Sequence, residues 1–265
     1  MAASIDKMEL LKGTKSPKIV FVGGSNLAFG LDSALIKEAF SLPVVNMGLQ
    51  RGLGLEFMLD QVNPYLNRGD IVVIVPEYML LTGEKFYYNL TYMIQAAALT
   101  DNWKSLANKP VFEIADALLK NNKAVLFYGY DLDTRRYGFN KEGDETAHLT
   151  LPNSDPLLID YHEDTVNKAA VLHLCNFMTK NTDRGVIPLV IYPCLEKNYY
   201  LQHASTIAAI AENLNNQGIK VLSKPQEFVY DKAYFYNSIY HLNSQGRNLR
   251  TNKIIQVLNE VFAGK

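Results

Sequence analysis

Two cysteines and one tryptophan are all that the 265 residues contain of those two residue types. Cys175 and Cys194 do not form a CxxC pair and have no histidine at ligand spacing, so neither a zinc site nor a disulfide scaffold is expected. Two free thiols are the expectation. No stretch approaches the roughly 18 apolar residues of a membrane span. The opening "MAASIDKMELLKG" lacks the basic-then-apolar pattern of a signal peptide, so a soluble chain is expected. A basic excess is also missing. Lys and Arg total 26 against 27 Asp and Glu, a net charge of −1, which leaves no footprint for nucleic acid or an anionic membrane. Repeats and low-complexity linkers are absent. Nothing in the sequence chooses a cytoplasmic or an extracytoplasmic setting.

What is present is a globular composition, 48% hydrophobic and 20% charged, enough for a sizeable core. The 16 tyrosines fit either a Tyr-lined cleft or the rims of the core. Strand and helix alternate from the start. Residues 19–22 are a short apolar run between Pro17 and Gly23-Gly24, a buried strand. Asp32 or Ser33 can cap a helix carrying Leu35, Ile36, Ala39 and Phe40. "LPVVNMG" is a second strand. Leu55, Met58, Leu59 and Val62 then fall on one helical face. "IVVIV" after Gly69-Asp70 is a strand covered on both faces. Later, "GVIPLVIYP" reads as strand four, with Pro188 arguing for a bulge or edge position. "IKVLS" reads as strand five. Helices are expected over "EDTVNKAAVLHLCNFMTKN", over "ASTIAAIAENLNNQG" up to Gly218, and after "HLNSQG". The expectation is an α/β chain: a three-layer, doubly wound, flavodoxin-like sandwich on a five-stranded parallel sheet. Residues 1–265 form one domain in this reading. An insertion at about 85–156, containing "FYGYDLDTRRYGFNKEGDETAH", is expected to act as a helical and loop lid.

In doubly wound sheets the ligand lies beyond the carboxyl ends of the strands. That rule selects the loops at 23–26, 46–54, 77–78 and 237–243. Gly23, Gly24 and Gly30 do not make GxGxxG, and no GKS or GKT follows, so a phosphate cradle is disfavoured. Ser25 sits at a strand-to-helix turn, where backbone N–H groups and the helix dipole favour a developing oxyanion. A serine hydroxyl needs a base to become a nucleophile. Of five histidines, His148 and His162 fall in or near the insertion, and His173 and His203 on surface helices. His241 alone shares an edge with Ser25. The plain alternative is a helix-start serine and a core or capping histidine.

"FVGGSN", "VVNMGLQRGLG" and "YHLNSQGRNLRT" occur in that order and resemble blocks of the SGNH (GDSL-like) hydrolases. The resemblance implies Ser25 as nucleophile, the Gly48 backbone N–H as oxyanion donor and His241 as base. It departs from the family in three places. The family's GDS becomes Gly-Gly-Ser here, a common relaxation. An asparagine oxyanion donor is expected after strand three, where "VPEY" has Glu77 and Tyr78. Tyr78, Gln50 or Asn26 could donate instead. The family's acid lies three residues before the histidine, where Ser238 stands, next to Asn237. Neither carries a charge for an imidazolium, although Asn237 could orient the ring, and Glu77 could be recruited to the histidine instead. Glu77 also reads simply as a carboxylate at a helix N-terminus. Arg51 reads as a clamp for an anionic group or as a solvated loop residue.

The implied activity is cleavage or transfer of an ester-linked acyl group, with a small-molecule, glycan or lipid ester as substrate and neither cofactor nor metal. The alternative is an SGNH-fold binding or accessory protein with weakened chemistry.

Overall fold

A computed structural model describes residues 3–128, 137–154 and 164–263. Helix α1 (Ala3–Gly13) leads into β1 (Ile19–Gly23), α2 (Ser25–Gly30), α3 (Ser33–Phe40), β2 (Val44–Asn46), α4 (Gly54–Val62) and β3 (Ile71–Val75). Asp32 is the cap of α3, its carboxylate accepting from the Leu35 N–H. The strands pair in parallel in the order β2-β1-β3-β4, with β4 at Ile187–Val190. Ile19 lies opposite Val44 on one side and Ile71 on the other, and Ile71 lies opposite Ile187. Every residue of β1, β2 and β3 is buried, so both faces of this apolar, β-branched sheet are covered.

Among the described residues the sheet has four strands, not the five expected. The run at 219–223 makes only a single parallel bridge, Val190 to Val221. Two features limit it. The Ile219 N–H is spent on the Leu214 carbonyl, closing the helix over Ala204–Asn216. The Ile187 and Ile191 N–H groups donate toward β3, so the alternate position, Pro188, faces the other way and lacks the outward donor a fifth strand would use. The edge position expected of Pro188 is what the sheet order shows.

The expected insertion begins with α5 (Leu90–Thr100) and α6 (Val111–Tyr128). Part of its polar tract, residues 129–136, lies outside the described residues, as does His162. The described piece 137–154 binds the core through its backbone: the Asn46 N–H donates to the Glu142 carbonyl and the Glu145 N–H to the Ala28 carbonyl, both at 2.8 Å. Next come α7 (Lys168–Asp183), β4, β5 (Leu195–Glu196), α8 (Lys197–Gln202) and α9 (Ala204–Asn216). β6 (Val229–Tyr230) pairs with β5. β7 (Phe235–Ser238) and β8 (His241–Leu242) form an antiparallel hairpin, with Ser238 opposite His241. α10 (Ser244–Phe262) closes the chain. His241 therefore stands on a hairpin of its own, not at the end of a fifth sheet strand. Both cysteines are free. No helix among the described residues is long and apolar enough to cross a membrane.

Candidate active site

Ser25 is the first residue of α2, directly after β1. The glycines before it are dictated by crowding. A Cβ on Gly24 would stand 2.3 Å from the Glu77 carboxylate, and one on Gly23 would stand 2.4 Å from the Val75 carbonyl oxygen. The chain can turn this close to β3 only without side chains. Helix α2 has six residues, so its dipole is short. Its placement comes from α10. Arg250 donates to the Asn26 carbonyl and, at 2.7 Å, to Asn26 Oδ1. Arg247 donates to the Leu31 carbonyl at 2.7 Å and pairs with Asp32 and Asp144. These arginines, three residues apart in "QGRNLRT", lie on one helical face. They anchor the Ser25 turn, and the sequence reading passed over them.

His241 Nε2 lies 2.8 Å from Ser25 Oγ, and His241 Nδ1 lies 2.8 Å from Asn237 Oδ1. Asn237 can only accept at Oδ1, so Nδ1 carries the proton and Nε2 presents its lone pair to the serine. This is the tautomer a general base needs. Ser238, three residues before His241, accepts the Tyr240 N–H in the hairpin turn at 3.3 Å. Burial, reinforced by the charges of His148 and Arg51, pushes His241 down to about 3. The imidazole is neutral at pH 7 with no carboxylate behind it.

Glu77 is fully buried and serves the serine side, not the histidine. Its Oε1 accepts from the Asn26 N–H at 3.0 Å and from Asn26 Nδ2 at 3.3 Å, and lies 3.4 Å from Ser25 Oγ, whose single proton is directed at the nearer His241 Nε2. It makes no capping bond in the turn that follows it. Burial raises its pKa, with the Arg51 charge opposing. Its other oxygen has no hydrogen-bond partner among the described residues.

Ser25 and His241 open onto a cavity of about 570 Å³ whose wall includes Lys7, Phe29, Gly48, Gln50, Arg51 and Asn237. Glu77, Asn26 and Tyr78 are not part of that wall. Asn26 is fully buried with its amide committed to Glu77, Val75 and Arg250. Tyr78 faces a separate small void beside Tyr199 and Tyr240. As oxyanion donors Asn26 and Tyr78 are therefore misplaced. The Gly48 N–H, expected in that role, instead donates to Asn46 Oδ1 at 2.8 Å. Gly48 is required by packing: a Cβ there would lie 2.6 Å from the Ala28 nitrogen.

Lys7 is buried, and its ammonium donates to the carbonyls of Asn46, Gly48 and Gly143 at 2.6–2.9 Å. This joins α1 to the cavity floor. His203, expected on a surface, is buried, and so is His148. Among the described residues no group of three or more His, Cys, Asp or Glu side chains could hold a metal ion. No protein-family model and no curated protein matches the chain.

Proposed function

We propose that this protein is a serine-dependent ester hydrolase or acyl transferase of the SGNH type, on a three-layer doubly wound scaffold with the 85–156 region as a lid. The observation that carries the reading is the chain of contacts from Asn237 through His241 to Ser25 at the wall of a cavity. In this mechanism His241 Nε2 takes the Ser25 hydroxyl proton as Oγ attacks the ester carbonyl. The Ser25 amide, at the turn into α2, serves as the main-chain donor to the new oxyanion in this reading, with Gln50 on the cavity wall as a side-chain donor. Collapse of the tetrahedral intermediate breaks the bond to the alcohol, which leaves with the proton from His241. Water, or an acceptor hydroxyl, then attacks the acyl-serine, with His241 again as base. The substrate is an ester of a small molecule, a glycan or a lipid.

A second reading has its own observations. The Glu77 carboxylate lies 3.4 Å from Ser25 Oγ, where a negative charge opposes an oxyanion. The Gly48 N–H is spent, and the base has no acidic partner. These favour an SGNH-fold binding or accessory protein. Labelling with a fluorophosphonate separates the two. Modification of the wild type that is lost in Ser25→Ala supports the hydrolase. A folded wild type that resists the probe supports the accessory role.

A further inference from the structure

We propose that the cavity beside Ser25 is built for an aliphatic acyl chain of about eight to twelve carbons, so that the substrate is a medium-chain acyl ester. The inference names the substrate class of the Ser25–His241 site and rests on that reading.

Size is the first constraint. The cavity measures about 570 Å³, within the roughly 300–1,000 Å³ of sites that take sizeable organic ligands. At about 30 Å³ for each heavy atom, the share of a water molecule in the liquid, an acetyl group would fill about a sixth of it. A chain of about eight to twelve carbons would fill roughly half to two-thirds. The wall is the second constraint. Ala3, Ala28, Phe29, Leu49 and Phe139 are apolar members of it, and the Phe29 ring is also stacked on His241 at 4.0 Å between centroids. Most of its polar groups are already committed. The Lys7 ammonium is spent on three backbone carbonyls, which leaves its methylene stem for a ligand. Asn237 Oδ1 is held by His241 and Ser238 Oγ by the Tyr240 N–H. Glu145 meets His148 Nδ1, and His148 Nε2 meets the Leu242 carbonyl at 2.9 Å. A sugar in this space would leave most of its hydroxyls without partners, whereas an aliphatic chain needs none. Gln50 is exposed and Arg51 half-buried, so the wall turns polar where it meets solvent.

The chemistry assigns the chain to the acyl side of the ester. The acyl group stays bonded to Ser25 Oγ through both half-reactions, while the alcohol leaves and water or an acceptor enters. The group that stays needs a fixed pocket, and the alcohol needs only a path. Two segments set the length of that pocket. Helix α1 contributes Ala3 and Lys7, and the piece 137–154 contributes Phe139. They meet where Lys7 Nζ lies over the Phe139 ring, 4.9 Å from its centroid.

The test measures kcat/KM for p-nitrophenyl esters from acetate to dodecanoate, together with calorimetric binding of decanoate and of acetate to Ser25→Ala. The wild type is expected to prefer octanoate or decanoate over acetate on the order of a hundredfold. Ala3→Phe narrows the cavity and should cut that preference about tenfold or more. Phe139→Ala widens it and should move the optimum to chains about two carbons longer. The second variant decides the matter if the first does not fold. An acetate optimum or a flat series in an active wild type would overturn the proposal, and so would an unchanged chain-length profile in the folded variants. If no ester is turned over but Ser25→Ala binds decanoate and not acetate, the Ser25 reading falls and the chain-binding cavity stands. If decanoate is not bound and no ester is turned over, the proposal falls as well.

Discussion

Asn237 Oδ1 holds His241 Nδ1 at 2.8 Å, so an amide occupies the place from which a carboxylate would stabilise the imidazolium. The tautomer is already correct, and what is missing is charge. Asn237→Asp supplies it with no change of shape. The expected result is a rise in the His241 pKa by about one to two units and a gain in ester turnover on the order of tenfold. The acid limb of the pH–rate profile should shift upward with the pKa. Unchanged turnover and an unchanged limb would show that Asn237 only braces the hairpin.

Glu77 gives a stability signature with a defined sign. Burial raises its pKa above 4.5, so the folded state binds this proton more tightly than the unfolded chain does. Its stabilising contribution is complete below pH 4.5 and is lost as pH rises through the folded-state value. Glu77→Gln keeps an oxygen for the Asn26 N–H and removes the charge. Urea denaturation should find the variant more stable than the wild type at pH 8 and nearly equal to it at pH 4. Equal stability at both values would mean that Arg51 fully compensates the carboxylate.

Gly48 separates packing from oxyanion chemistry. Gly48→Ala retains the backbone N–H but drives a Cβ to 2.6 Å from the Ala28 nitrogen and 2.7 Å from Leu27 Cβ. Backbone must move, at a cost of about 1–3 kcal/mol. Because the displaced segment is α2, Ser25 should shift from His241 and turnover fall more than tenfold. A variant with wild-type melting temperature and turnover would show that α2 yields at this point without cost.

Local pattern made the first half of the fold legible. The runs at 19–22 and 71–75 are apolar and largely β-branched, bounded by a proline on one side and glycine on the other, and buried in the centre of a parallel sheet, where such runs belong. Strand five was misread because periodicity does not reveal that the Ile219 N–H closes a helix or that Pro188 removes an outward donor. Ser25, His241 and Asn237 were found from loop order, and the structure brings them together. The contributions of Lys7, Arg247, Arg250 and His148 were not, since each depends on contacts spanning dozens to more than two hundred residues of chain. The arginines left one trace, a three-residue spacing on an otherwise apolar helix face. His148 left none, because its partners Glu145 and Leu242 lie in segments with no shared pattern.

Lys7 ties the N-terminal helix to the cavity, and its role can be read from pH. Burial lowers its pKa to about 7, with Asp144 opposing. The unfolded chain therefore holds this proton up to about pH 10.5 while the folded state releases it near 7, and stability rises with pH across that window. Lys7→Met removes this titration and leaves the Asn46, Gly48 and Gly143 carbonyls without their shared donor. The expected loss at pH 7 is about 1–3 kcal/mol. It should widen toward pH 10, because only the wild type gains there. Limited proteolysis should cut α1 faster in the variant, since the helix loses its three bonds to the floor. Denaturation curves that differ by the same amount at pH 7 and pH 10 would place the Lys7 pKa outside this window, leaving the ammonium as a permanently charged clamp on the three carbonyls.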